Sequence, residues 1–171
     1  MENLRLSNEA FGNCLLIIEF LNKFKYILQI RKFDRFSKGE KLVGLNFNFR
    51  FSADHLIPSL QTLQQALLSP SSSRDLNSLC QNLLRIALDD RGIPNPKKAL
   101  TNLGQKLSEI DITEHTFSEI LRIYIRERNG FDDRLTQSLP DTSFQTLIAD
   151  EKAEILAFLC NDLSTNKRVV E

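Results

Sequence analysis

No run of this 171-residue sequence approaches the ~18 apolar residues needed to span a bilayer. The apolar stretch near the N-terminus is broken by Asn13 and Glu19 and lacks a small-residue cleavage site, so a soluble chain without a signal peptide is expected. Cysteine is scarce and scattered. Cys14, Cys80 and Cys160 are odd in number and have no neighbour at metal-ligand spacing, which argues against a disulfide framework or a zinc site. Each falls on the apolar side of an expected helix and reads as a buried free thiol in a reducing compartment, cytosol or nucleus.

The chemistry of catalysis is also sparse. There is no glycine-rich phosphate loop and no GxSxG. His55 and His115 each follow a carboxylate, Asp54 and Glu114, but neither has a second histidine or cysteine at ligand spacing, so surface or capping roles are expected. Asp89-Asp90 and Asp132-Asp133 are adjacent acids at helix ends; neighbours in sequence point in different directions there, which suits solvated ends better than an acid/base dyad. The expectation is a chain with no catalytic residue, no metal site and no cofactor.

Net charge is zero, but unevenly spread: +4 over residues 1–51, +1 over 52–110 and −5 over 111–171. A basic head and an acidic tail can face two different partners, without the large basic excess of an autonomous nucleic-acid binder.

What the chain has in quantity is leucine and phenylalanine at helical spacing. In Phe11 to Leu28, two adjoining stripes, Phe11/Cys14/Leu15/Ile18/Leu21 and Ile17/Phe20/Phe24/Leu28, predict a helix of about five turns, capped by Ser7 and buried on both faces as the spine of the domain. Residues 30–51 read as one long irregular loop or short extended segment. Its first half is basic, and Leu45, Phe47, Phe49 and Phe51 then alternate with Asn46, Asn48 and Arg50. Further helices are expected from Pro58 with Leu56, Leu60, Leu63 and Leu67 inward, and from Ser73 with Leu76, Leu79, Cys80, Leu83 and Ala87 inward. Another is expected after Asn95-Pro96 with Leu100, Leu103 and Leu107 inward. Thr116-Phe117-Ser118-Glu119 reads as a capping box opening a helix stopped by Asn129-Gly130, with Phe117, Ile120, Leu121 and Tyr124 buried. A short helix near Asp132 to Ser138 and a last one over Asp150 to Leu163 complete an all-α bundle of about six to eight helices. No fixed-period repeat supports a solenoid.

The order of these residues carries a resemblance. FGNCLLIIEFLNKF, LQTLQQALL and LNSLCQNLLRIAL resemble the DDT domain, a helical module of chromatin-remodelling subunits. FSEILRIYIRERNG followed by FQTLIADEKAEILAFLCNDL resembles the first WHIM motif, and the pair in this order is similar to the bromodomain-adjacent-to-zinc-finger (Toutatis-like) subunits of ISWI remodellers. The resemblance divides the chain into a DDT-like unit, 1–110 with an insertion at 30–51, and a WHIM-like extension, 111–171, packed on it. It departs from the family in that longer connection, and in placing Ile148 where relatives have a Ser or Thr cap. It implies a nuclear, non-catalytic protein-interaction platform that docks the C-terminal linker-DNA-binding region of an ISWI-type ATPase and helps position nucleosomes in transcription regulation, with no membrane or small-molecule substrate. On that reading Asp150, Glu151, Glu154 and Asp162 would meet a basic partner domain, and Lys38, Lys41, Lys97 and Lys98 would approach DNA phosphates. The alternative is a direct DNA-binding helical module using the basic N-terminal half.

Overall fold

Leucines at three- and four-residue intervals form helices here because each can bury one stripe only against another helix. The structure, a computed structural model, describes residues 5–36, 58–69, 74–88, 99–130, 133–139 and 143–165, with side chains of the first helix described as far as Phe24. Among these residues it is all-α: α1 (Asn8–Phe36), α2 (Leu60–Leu68), α3 (Arg74–Leu88), α4 (Phe117–Asn129), α5 (Arg134–Ser138) and α6 (Ala149–Ser164), with 3-10 turns at Leu107–Glu109 and Phe144–Thr146.

Several boundaries follow the expected local chemistry. The Ser7 hydroxyl accepts the Ala10 amide at 3.1 Å and caps α1, and Ser59 does the same for Thr62 in α2. Gly130, at a positive φ of +92° that favours glycine, ends α4 and returns its amide to the Arg126 carbonyl at 2.8 Å. Asp133 caps α5, its Oδ1 accepting the Leu135 amide at 2.9 Å.

Four expectations are corrected. First, α1 continues to Phe36, so the opening of the segment read as irregular is helical; its remainder to Phe51 lies outside the described residues, as do Ser73, His55, Asp89-Asp90 and Asn95-Pro96. Second, residues 99–106 form a tight turn instead of a helix. Gly104, at φ +78°, donates its amide to the Thr101 carbonyl at 2.9 Å, and Leu107 donates to Ala99 at 3.0 Å. Leu100 is therefore 52 % and Leu103 88 % exposed, while Leu107 is buried. Third, the capping box does not form. The chain is already turning at Thr113, whose carbonyl accepts the Phe117 amide at 3.0 Å, so Thr116 sits in helical backbone and its hydroxyl donates to the Asp111 carbonyl at 2.6 Å. Glu119, relieved of a capping role, pairs with Arg122. Fourth, α1 is not buried on both faces over its described side chains: Phe11 and Leu15 are 41 % and 48 % exposed.

Among the described side chains, α6 is buried on more than one face. It packs most extensively on α1 and also touches α2 and α3. Ile155, Leu156, Leu159 and Leu163 are fully buried, and the small residues Ala153, Ala157 and Cys160 are buried with them. Those three recur at helical spacing and leave room for neighbouring backbones to approach. The buried apolar side chains of α1, α2, α3, α4 and α6 form a single core. Phe117 of α4 meets Phe144 edge-on, centroids 5.7 Å apart, and the Phe144 amide donates to Ser118 Oγ at 3.0 Å, which ties the approach to α6 onto α4.

Candidate partner-binding surface

The packing of α6 sorts its four acids. Asp150 and Glu151 lie in the first turn, where the positive helix end favours carboxylates, and Ile148 at the cap position offers no side-chain acceptor. Asp150 Oδ1 accepts the Ser7 amide at 3.4 Å and so joins the start of α6 to the start of α1. Glu151 is half-buried. Glu154 pairs with Arg134 of α5, whose side chain is 71 % exposed; the Glu154 carboxylate, with Glu9 and Glu151 nearby, holds that guanidinium above its ordinary pKa. Three of the acids thus share one end of α6, beside the starts of α1 and α5.

Asp162 is elsewhere and faces inward. Its Oδ2 accepts the hydroxyl of the buried Tyr124 and lies 3.4 Å from Arg128 Nε, while the Arg128 guanidinium stands 5.6 Å from the centre of the Tyr124 ring. Its reading as an outward acid is corrected: the carboxylate serves the contact between α4 and α6. The signal was present in Tyr124, a buried ring whose hydroxyl needs a partner. Lys38, Lys41, Lys97 and Lys98 lie outside the described residues.

Lys152, also missed by the sequence reading, is only 2 % exposed, and burial lowers its ammonium below the ordinary lysine range. His115 is exposed at the turn before α4. Among the described residues no His, Cys, Asp and Glu side chains gather in a set able to hold a metal ion, and no helix is long and apolar enough to cross a membrane.

All three cysteines are free and buried. Burial pushes the Cys14 thiol up to about 11, with Asp150 adding to it, and raises Cys80, near Cys160, and Cys160 itself. With the folded pKa above the unfolded value of 9.0, the folded chain keeps its Cys14 proton at pH values where the unfolded chain has lost it. Stability is then untouched by this group below about pH 9 and falls as the pH rises from there towards about 11. The expected result is a melting temperature flat near neutrality that declines above about pH 9, with a shallower decline in Cys14→Ala. A thiol reagent should label none of the three until denaturant is added.

Residues 130–170, which contain α5 and α6, match the WHIM1 family model, motif 1 of WSTF, Itc1p and MBD9 among others. Over 168 residues, 98% of this chain, the sequence is 34% identical to bromodomain adjacent to zinc finger domain protein 2B of Gallus gallus and 34% identical to protein 2A of Mus musculus. It is 30% identical to the Caenorhabditis elegans protein 2 over the same length. The chain spans only 7%, 8% and 10% of those three relatives. No solved structure matches it. The chain thus carries a WHIM1 match at its C-terminal end and, over nearly its whole length, is similar to one segment of the bromodomain-adjacent-to-zinc-finger proteins.

Proposed function

We propose that this chain is a non-catalytic, chromatin-associated interaction module, nuclear in location, that docks an ISWI-type motor ATPase through that enzyme's C-terminal linker-DNA-binding region and helps position nucleosomes. The observation that carries the reading is the similarity to bromodomain-adjacent-to-zinc-finger proteins along 98% of the chain. The fold supports it physically: α6, within the WHIM1 match, gives its apolar faces to the core, and Glu151 and Glu154 stand at its start beside Glu9. Such a group of carboxylates would steer and orient a basic partner more than it would add to final affinity. The split into a DDT-like 1–110 and a WHIM-like 111–171 belongs to the same proposal.

The test is a titration of the chain with the ATPase C-terminal region at physiological salt, beside a mobility shift with free duplex. The module should bind the ATPase fragment, and the double variant Glu151→Lys/Glu154→Lys should bind about tenfold more weakly, chiefly through slower association. Tight, steeply salt-dependent binding of bare DNA together with indifference to the ATPase would instead establish the direct DNA-binding alternative.

A further inference from the structure

We draw no further inference here: the strongest candidate, the apolar surface patch that Leu100 and Leu103 expose on the closed turn over residues 99–106, carries nothing because no feature among the described residues shows what covers it.

Discussion

A chain ended at residue 110 is expected to show no cooperative thermal transition, although its helices α1, α2 and α3 would all be present. The reason lies in α6. Its Ile155, Leu156, Leu159 and Leu163 are all fully buried, and the helix packs on each of the three helices the truncated chain would retain. Burying one such side chain stabilises by about 1.5–3 kcal/mol, so the four together contribute on the order of 6–12 kcal/mol, comparable with the entire stability of a typical domain. Without α6 the inward face of α1, Cys14, Ile17, Leu21 and Phe24, would be left partly in water. The measurement is a thermal melt by circular dichroism of residues 1–110 beside the full chain. A cooperative transition in the fragment would make the DDT-like part a self-sufficient domain and α6 an accessory.

How far the sequence spoke depended on the range of the physics involved. Helix type and most buried stripes came from local periodicity: Leu63 and Leu67 of α2, Leu76, Cys80, Leu83 and Ala87 of α3, and Phe117, Ile120, Leu121 and Tyr124 of α4 are buried as their spacing requires. Caps were legible where one side chain meets one amide, as at Ser7, whereas Ser59 was read only as part of a helix opened at Pro58, and Thr116 is not a cap because a turn begun three residues earlier had already used the local backbone. The helix expected over Leu100 to Leu107 failed for a related reason. Leucine spacing states where apolar groups recur, whereas Gly104 and the Thr101 carbonyl make a closed turn that periodicity does not register. The central place of α6 is a tertiary fact; its trace in the sequence was the spacing of Ala153, Ala157 and Cys160. Of the proposed surface, the clustering of Glu151 and Glu154 near Arg134 and Glu9 required three helices to meet, and the inward turn of Asp162 required Tyr124 to be opposite it.

Leu159 and Leu103 make the sharpest pair of substitutions, because spacing alone gave both the same inward reading. Leu159 is fully buried in α6, whereas Leu103 is 88 % exposed at the tip of its turn. Leu159→Ala removes buried methyl groups from a site enclosed by packed helices and leaves a cavity that rigid neighbours close only in part. The expected cost is about 2–5 kcal/mol, which for a chain of this size lowers the melting temperature by about 4–20 °C. Leu103→Ala removes the same atoms from a position already in water, leaves no cavity and keeps the turn's backbone hydrogen bonds, so its effect should stay within about 0.5 kcal/mol. Chemical denaturation of both variants checks the pair, and the slope against denaturant should match that of the parent chain in each case, since neither change alters the surface exposed on unfolding by much. A Leu103→Ala loss comparable to that of Leu159→Ala would mean that the 99–106 turn packs against the body in solution, and the exposure of its tip leucine would have to be abandoned. If the two differ as expected, the energetic weight of this fold rests on the helix that lies within the WHIM1 match, and the turn carries almost none of it.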